Sequence, residues 1–330
     1  MTSLEAAPAR SAADGALTFP SINRGYDAVF QAGRLSIGLV VPLESYPQTA
    51  VPRMTRHLER ARLAEELGFS ALWLRDVPFN VPSFGDAGQM FDPFVYLGLL
   101  AAATDRIALG VASIVLPLRH PVHVAKAAAS ADVLSGGRLL LGIASGDRPD
   151  EYPALGEDFH RRGLRFRESF EAIRHLADSQ PHFENSWGSV QGSMQLLPQP
   201  SSGRLPLLIT GGSQQSPEWI AAHGDGWMTY PRSPAAQAYA LEVWWRDGAA
   251  AGAPLRPAMQ PLYVDLTASP GTAPRPIPLG YRLGSRALVA HLRALQEGGM
   301  NHVALNLRFN EEGVEATLER LANDVLPHFD

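Results

Sequence analysis

Small and polar residues follow two apolar runs in the first half of the chain. The run Arg106–Val115 is followed by Leu116–Pro121, and the run Arg138–Ile143 is followed by Ala144-Ser-Gly-Asp147. Both runs have the length and the uniform apolar character of a strand that is buried on both faces of a parallel sheet. A carboxylate such as Asp147, placed where a buried strand ends, can act as a general acid or base. A loop cap or a salt bridge with Arg148 is the alternative role.

A second candidate site is the segment Gly211-Gly-Ser-Gln-Gln-Ser216, which follows another apolar run. It leads into Pro217–Ala222, where we predict a helix, and proline suits a first helical turn. Glycines let the backbone approach a ligand closely, and amide N–H groups at a helix start favour phosphate. Ser213 and Ser216 can add hydroxyl donors. Ordinary capping of the helix by either serine is the alternative.

Arg75 and Asp76 form a third candidate site, because they end the short apolar run Ala71–Leu74. In a parallel barrel, side chains at the C-terminal ends of the strands line the active site. We therefore expect Arg75 and Asp76 to form a polar pair that faces this site. An Arg–Asp bridge that only ties loops together is the alternative.

Elements that position these residues are predicted from the alternation of short apolar runs with longer helical patterns. Eight such strands alternating with helices predict an α/β fold, a (β/α)8 TIM barrel with insertions at its C-terminal face. An open, doubly wound sheet is the alternative. Its dinucleotide-binding form would need a Gly-x-Gly-x-x-Gly turn, and Val40–Leu43 after the first strand has none. The predicted strands cover residues 35–41, 71–74, 107–114, 138–143, 206–210, 226–229, 260–266 and 302–307.

The predicted organisation is a flexible tail over residues 1–20 and a single barrel domain over residues 21–330. Three segments interrupt the alternation of strands and helices, at about residues 79–91, 180–205 and 268–282. We predict a hairpin at Trp187–Gly192 within the second segment, and a long proline-rich loop for the third. Loops of this length in a compact domain are often lids or binding segments.

Composition excludes several classes of function. A net charge of −5 and the lack of a basic run argue against nucleic-acid binding. The chain has no cysteine, which excludes disulfides, thiolate metal sites and cysteine nucleophiles. His120 and His123 have no carboxylate that completes a metal set, so we predict no metal. Because the sequence contains neither a signal peptide nor an apolar run of membrane-spanning length, we expect a cytoplasmic protein without membrane contact.

Four of these segments together resemble the luciferase-like monooxygenase superfamily: Ala71–Asp76, Gly110–Pro121, Leu134–Arg138 and Gly142–Asp147. The resemblance covers roughly residues 35–325. It implies a flavin whose phosphate binds at the Gly211–Ser216 turn, and whose ring lies over a non-prolyl cis peptide at Ala112-Ser113. The implied cofactor contacts are Ala112, Ser113, Ser145, Gly146, Gly211, Gly212, Ser213, Gln214 and Ser216.

Functional roles implied by the resemblance centre on Asp147, with Asp76 and Arg75 as further catalytic candidates. Asp147 aligns with the proton-donating carboxylate of F420-dependent glucose-6-phosphate dehydrogenase. Many relatives place a histidine after the residue that corresponds to Asp76, whereas this chain has Val77 and Pro78. That departure favours FMN over coenzyme F420.

The resemblance thus implies a two-component monooxygenase, in which reduced FMN from a separate flavin reductase and O2 oxidise a small organic substrate. An F420-dependent dehydrogenase or reductase is one alternative, and a non-catalytic flavin-binding protein is another. Relatives often dimerise through early barrel helices, so we expect a homodimer. Its interface would be the predicted helix Met90–Ala103, which can equally be part of the core.

Overall fold

The computed structural model describes residues 18–329, so residues 1–17 of the predicted tail lie outside the described part of the chain. In chain order the described strands are β1 Ser36–Val40, β2 Ala71–Leu74, β3 Ala108–Val115, β4 Leu139–Ala144, β5 His182–Asn185, β6 Gly188–Gln191, β7 Leu207–Thr210, β8 Gly226–Met228, β9 Ala258–Leu266, β10 Arg275–Ile277, β11 Gly280–Leu283 and β12 His302–Asn306.

The helices lie mostly between the strands of the barrel. They are α1 Arg24–Val29, α2 His57–Glu66, α3 Pro93–Ala103, α4 Pro121–Leu134, α5 Glu151–Ala154, α6 Arg162–His175, α7 Pro217–His223, α8 Pro234–Ala250, α9 Ser285–Glu297 and α10 Val314–Asp324. None of the helices within residues 18–329 has both the length and the apolar character needed to cross a membrane.

Eight of the strands close into a parallel barrel in the order β1, β2, β3, β4, β7, β8, β9 and β12. Closure is complete because β9 pairs with β8 on one side and with β12 on the other, and β12 pairs with β1. In the register of the ring, Leu39 lies opposite both Leu72 and Leu305. The predicted (β/α)8 barrel is therefore confirmed, and the open sheet is excluded.

Burial on both faces explains why these strands are apolar throughout. In β4, Leu139 and Leu141 pack outward in the large core between strands and helices. The residue between them, Leu140, points inward into a second cluster inside the barrel, where Trp73 also lies. Gly110 leaves the room for that indole, since a Cβ at Gly110 would lie 2.3 Å from the Trp73 ring.

Helix α1 packs against the inside of the barrel, which the sequence did not predict. Tyr26 and Val29 belong to the interior cluster, and the Tyr26 hydroxyl donates to the Asp225 carbonyl at 2.7 Å. Asn23 caps this helix by accepting from the Tyr26 N–H. Helix α1 lies at the N-terminal ends of the strands. The C-terminal ends, on the other side of the barrel, therefore remain available for a functional site.

The insertions differ in how well the sequence predicted them. Strands β5 and β6 form an antiparallel hairpin around Ser186-Trp187. A hairpin was therefore correctly predicted in this insertion, but the predicted segment Trp187–Gly192 contains only its second strand. The prediction of a loop over residues 268–282 is correct for residues 268–274, which lie outside any helix or strand. It is wrong for the rest of the segment, because β10 and β11 pair there and β11 runs parallel to β9. Pro276 is tolerated in β10 because an edge strand needs fewer donors. Gly280 lets β11 approach β9, since a Cβ there would lie 1.8 Å from the Tyr263 carbonyl oxygen.

Candidate functional site

A cavity of about 450 Å³ opens at the C-terminal ends of the barrel strands. Its size lies within the range of ordinary small-molecule sites. All eight barrel strands, or the segments that follow them, contribute to its wall. Of the predicted site residues, those that line it are Arg75, Asp76, Ala112, Ser113, Ser145, Gly146, Asp147, Gly211, Gly212, Ser213 and Gln214.

The base of the cavity is apolar. Val40, Met228, Met259 and Ala304 line it together with Ala112. The peptide bond between Ala112 and Ser113 is cis, as the resemblance implies. The Ser113 hydroxyl hydrogen-bonds to that of Thr210, which joins β3 to β7 across β4. A flat apolar ring system fits such a base.

The turn after β7 presents backbone donors to the cavity. Gly211, Ser213 and Gln214 have φ angles of +54°, +41° and +58°. Within residues 18–329, the N–H groups of Gly212, Ser213 and Gln214 have no hydrogen-bond partner. Successive free amides in such a turn form a concave site for an anion. Nothing would contact a Cβ at Gly212 within 4 Å, so space for an anion lies beside this backbone.

The two serines of this turn have roles in the fold. The Ser213 hydroxyl donates to the Thr210 carbonyl at 2.7 Å, which fixes the turn. Ser216 lies outside the cavity lining, and its hydroxyl caps α7 by accepting from the Trp219 N–H at 3.2 Å. For Ser216, the capping alternative therefore describes its position better than a cofactor contact. The reason is that Ser216 is the N-cap residue directly before α7 begins at Pro217, where its hydroxyl is already engaged by the Trp219 N–H.

Arg162 adds a positive charge beside the same turn. It lines the cavity, its guanidinium carbon lies 3.7 Å from the centre of the Phe159 ring, and its Nη1 donates to the Phe159 carbonyl at 2.9 Å. Its Nε is buried and has no hydrogen-bond partner. The next residue, Gly163, packs against the turn, since a Cβ there would lie 2.8 Å from that of Gln214. No sequence signal pointed to Arg162, because its neighbour Gly163 packs against a segment 52 residues further along the chain.

Asp147 lies at the rim of the cavity, in the turn between β4 and α5. It is solvent-exposed, and its carboxylate makes no hydrogen bond or ion pair with any residue among 18–329. The bridge to Arg148, the alternative from the sequence, does not form. Gly146 precedes it with a φ of +74°, and this turn is held by the Tyr152 hydroxyl, which donates to the Ser145 carbonyl. Asp147 is thus free to contact a bound molecule.

Arg75 and Asp76 both line the cavity, but the prediction that they pair with each other is wrong. Arg75 donates from Nη1 to Asp86 at 2.7 Å. Asp76 accepts two hydrogen bonds from Arg119 and one from the Val115 N–H. Side chains of consecutive residues in extended chain point in opposite directions, so two neighbours find different partners.

The Arg75–Asp86 pair also ties the 79–91 insertion to the rim. Asp86 accepts as well from the Gly88 N–H at 2.9 Å and forms an ion pair with Arg308 at 3.1 Å. Burial alone would raise the pKa of Asp86, but Arg75, the Gly88 amide and Arg308 hold that pKa below its ordinary value. Asp86 therefore stays ionised and anchors the insertion.

The chain also matches a known protein family by sequence. The sequence profile described as luciferase-like monooxygenase matches residues 35–269. The chain belongs to this family. The match covers β1 to β9, and therefore every strand that contributes a predicted site residue.

Relatives of this luciferase-like chain share part of its length. An uncharacterised protein of Mycobacterium tuberculosis is 34% identical over 188 residues, which are 52% of this chain and 66% of that protein. The alkanal monooxygenase alpha chain of Photorhabdus luminescens is 27% identical over 164 residues, which are 49% of this chain and 44% of that protein. The matches thus span less than two thirds of these relatives.

Solved structures of the same architecture match over most of the chain. An F420-dependent secondary alcohol dehydrogenase in complex with an F420-acetone adduct has a TM-score of 0.72 at 17% identity, covering 90% of this chain and 99% of that one. The oxygenating constituent of 3,6-diketocamphane monooxygenase from Pseudomonas putida, in complex with FMN, has a TM-score of 0.70 at 14% identity, covering 89% and 98%. At these identities the likeness shows the fold.

Two further charged residues of this luciferase-like site were missed from the sequence. Arg148 and Glu151 both line the cavity and are 7% and 2% exposed. Burial raises the pKa of Glu151 above its ordinary value. The Asp-Glu sequence at residues 150–151 gave no hint that only the second carboxylate is buried. Chemically, the cavity combines a turn with free backbone amides, an apolar base and the carboxylates of Asp147 and Glu151.

Proposed function

We propose that this protein is a flavin-dependent oxidoreductase that binds reduced FMN in the cavity and, with O2, oxidises a small organic substrate. The observation that carries the proposal is the turn at Gly212–Gln214, whose free amides lie beside Arg162 above an apolar base. An anion-binding turn next to an apolar slot matches a molecule with a phosphate at one end and a ring at the other.

The residues present fit FMN. The N–H groups of Gly212, Ser213 and Gln214 would hold the phosphate, and Arg162 would neutralise it. The cis peptide at Ala112-Ser113 would support the ring. Bound flavin supplies two-electron redox chemistry and a route to O2, while the protein supplies orientation and exclusion of water.

The chain's own polar residues divide into two groups. Asp147 is exposed and unpaired, so it is the rim residue that can give a proton to a substrate or take one from it. Arg75 and Asp76 have their hydrogen-bonding groups engaged by Asp86 and Arg119, so they act as positioning residues. They hold the loops that shape the entrance.

A separate flavin reductase would deliver the reduced FMN. Support for FMN comes from family membership and from the fold of an FMN-bound monooxygenase. Coenzyme F420 is the competing cofactor, because an F420-dependent dehydrogenase shares the fold as well. Val77 and Pro78, where many relatives have a histidine, favour FMN. The F420-dependent reaction transfers hydride without O2, so oxygen consumption separates the two functions.

Self-association is a further part of the proposal. Helix α3 exposes Val95 and Leu99, which lie one turn apart and are 73% and 45% exposed. Met90 and Phe91, just before the helix, are exposed as well. A contiguous exposed apolar patch supports a protein interface, and the homodimer expected from the sequence would cover this one.

The test compares FMN with riboflavin, which lacks the phosphate. Arg162→Met should weaken the binding of FMN about tenfold or more and leave riboflavin binding unchanged, since a lost charge-assisted hydrogen bond costs about 1.5–3 kcal/mol. Arg161→Met is the matched control, because Arg161 is exposed and is not part of the lining. Titration calorimetry measures all three proteins with both ligands and with F420.

The outcomes separate the alternatives. Loss of FMN affinity in the Arg162 variant alone supports a phosphate site at the turn. Equal weakening of FMN and riboflavin would contradict it. Binding of F420 without FMN would favour the dehydrogenase alternative. Binding of FMN without flavin-dependent oxygen consumption across a substrate panel would favour a non-catalytic flavin-binding protein.

A further inference from the structure

Glu151 is a buried carboxylate that faces the cavity. It is the first residue of α5, it is 2% exposed, and it lies in the cavity lining. Its Oε1 is buried and has no hydrogen-bond partner. A buried polar atom left without a partner costs about 1–3 kcal/mol, and more when it carries charge. Because Glu151 lines the cavity, a molecule that fills the cavity lies against this residue.

Arg148 precedes it by three residues and carries a second unpartnered atom. Its guanidinium lies 4.7 Å from the centre of the Phe84 ring, and Nη2 donates to the Asp86 carbonyl at 3.2 Å. These contacts fix the side chain, yet Nη1 is buried without a partner. Within residues 18–329, no ion pair joins Arg148 to Glu151, so each of these two cavity-lining residues keeps one polar atom without a hydrogen-bond partner.

The charges around Glu151 come from two segments. Arg148 and Asp147 lie on its own turn, and Asp76 faces it from the end of β2, where Asp76 is itself bound by Arg119. Burial is the largest cause of the raised pKa of Glu151. Arg148 and the Phe79 amide oppose the rise, while Asp76 and Asp147 add to it. A carboxyl group in such surroundings changes protonation nearer neutral pH than an exposed glutamate does.

We propose that Glu151 is a catalytic residue that exchanges a proton with the molecule bound in the cavity, and that Arg148 stabilises the charge which the exchange leaves behind. The inference rests on the proposed function, because it takes the occupant to be a flavin or its substrate. In the step, the neutral carboxyl group of Glu151 donates its proton to a basic oxygen or nitrogen atom of the occupant. The electron pair of the broken O–H bond stays on Glu151 as a carboxylate, and the positive charge of Arg148 stabilises that carboxylate. The reverse step returns the proton.

Asp147 and Glu151 differ in solvent exposure, and we therefore assign them different roles. Asp147 is exposed at the rim, where it exchanges protons with solvent, whereas Glu151 is shielded from solvent. Because Glu151 is shielded from solvent, it exchanges its proton with the bound molecule rather than with water. Together the two carboxylates would pass a proton between solvent and the interior of the site.

The first test measures protons that are taken up when FMN binds. Titration calorimetry in buffers of different ionisation enthalpy gives this number at each of several pH values. FMN in the cavity excludes remaining water from Glu151 and so raises its pKa further. We expect the wild-type chain to take up protons on binding, and Glu151→Gln to take up fewer. Asp150→Asn is the control, because Asp150 is the exposed neighbour outside the lining.

The second test is the pH profile of flavin-dependent oxygen consumption. Glu151→Gln should lower turnover by at least tenfold and remove the limb of the profile that belongs to this carboxyl group. Glu151→Asp should restore part of the turnover, and Asp150→Asn should keep the wild-type profile. A structural role for Glu151 would change stability without moving the profile.

The results distinguish this inference from the proposed function. If the wild-type chain binds no flavin, the proposed function falls and the inference falls with it. If the wild-type chain binds FMN, but Glu151→Gln shows the same proton uptake and the same pH profile, the inference alone is overturned. Circular dichroism and the FMN affinity of the variant establish that it is folded.

Discussion

Arg119 binds Asp76 through two parallel hydrogen bonds, from Nε to Oδ2 at 2.9 Å and from Nη2 to Oδ1 at 2.7 Å. The Asp76 side chain is 1% exposed, so this carboxylate depends on its protein partners for compensation. The bond joins the end of β2 to the segment after β3. It therefore fixes the relative position of two loops that border the cavity.

Removing the arginine of this pair should destabilise the fold. Arg119→Leu leaves Asp76 buried with the Val115 N–H as its remaining donor, at a cost of roughly 3 kcal/mol. Urea unfolding measures the loss. Arg246→Leu is the control, because the Arg246 side chain is 69% exposed in its pair with Asp247 and should leave the unfolding curve unchanged. Identical urea-unfolding curves for both variants would mean that the Arg119–Asp76 pair contributes nothing to stability.

A histidine at the end of the barrel opposite the cavity should make stability depend on pH. His302 accepts from the Trp73 indole N–H at 2.8 Å, so its other nitrogen carries the proton and donates to the Ser36 hydroxyl at 2.7 Å. Burial lowers the pKa of His302 to about 3. The unfolded chain binds this proton near pH 6.5, so its share of stability is complete above that pH and is lost as the pH falls toward 3.

The expected slope is about 1.4 kcal/mol of unfolding free energy per pH unit within that window. His302→Gln should reduce it by this amount, although the variant is less stable near neutral pH, where the His302 hydrogen bonds are intact. His328→Gln, at an exposed position near the C-terminus, should keep the wild-type slope. Denaturant unfolding at several pH values measures the slopes, and parallel curves for wild type and His302→Gln would contradict the assignment.

Two glycines with the same φ angle allow the cost of backbone strain to be distinguished from the cost of a steric clash. Gly146 and Gly156 both have a φ of +74°. A Cβ at Gly146 would lie 2.6 Å from the Tyr152 hydroxyl oxygen and 2.6 Å from Val115 Cγ1, whereas one at Gly156 would meet nothing within 4 Å.

Gly156→Ala should therefore cost about 1 kcal/mol of stability, from the left-handed conformation alone. Gly146→Ala should cost clearly more and weaken FMN binding, because the turn that carries Asp147 must move. Thermal unfolding and FMN titration measure both effects. Equal losses of stability for the two variants would show that the turn at Gly146 accommodates a Cβ without additional cost.

Asp147→Asn tests the rim carboxylate. Flavin affinity should stay near the wild-type value, because the phosphate turn is untouched. Turnover should fall by about 10²–10⁴-fold, the usual contribution of a general acid or base. Asp150→Asn serves as the control here as well. Loss of folding in the Asp147 variant would instead mark this residue as structural.

The apolar face of α3 gives a test of self-association. Val95→Glu should place a charge in the interface and shift the protein from dimer to monomer in analytical ultracentrifugation. Tyr239→Glu is the matched control, since Tyr239 is 69% exposed on α8, away from that face. A monomeric wild-type chain, or a variant that dimerises as the wild type does, would refute the proposed interface.

The barrel strands were predictable because a strand buried on both faces carries its signal in its own residues. All eight runs, from Leu35–Val41 to His302–Leu307, fall on the observed strands. The Gly211–Gln214 turn was predictable for the same reason, since glycine next to a strand end is a local signal. Strands β10 and β11 were not, because Pro276 and Gly280 in isolation indicate a loop. Only the neighbouring β9 makes a strand there favourable.

Site residues that depend on long-range packing escaped prediction. The position of Arg162 in the cavity follows from the way α6 begins against the Gly211–Gln214 turn. Arg148, beside Glu151, is covered by the 79–91 insertion through Phe84 and the Asp86 carbonyl. Arg75 pairs with Asp86, eleven residues away, rather than with its neighbour. In each case the tertiary structure of the closed barrel determines which residues come into contact. The local sequence pattern carries no signal for these contacts.

The most direct test of the account is a crystal structure of the protein soaked with reduced FMN under anaerobic conditions. We predict density for the phosphate within hydrogen-bond distance of the Gly212, Ser213 and Gln214 amides and of Arg162, with the ring over Ala112-Ser113. An empty cavity at saturating FMN, or a flavin bound elsewhere on the molecule, would contradict it.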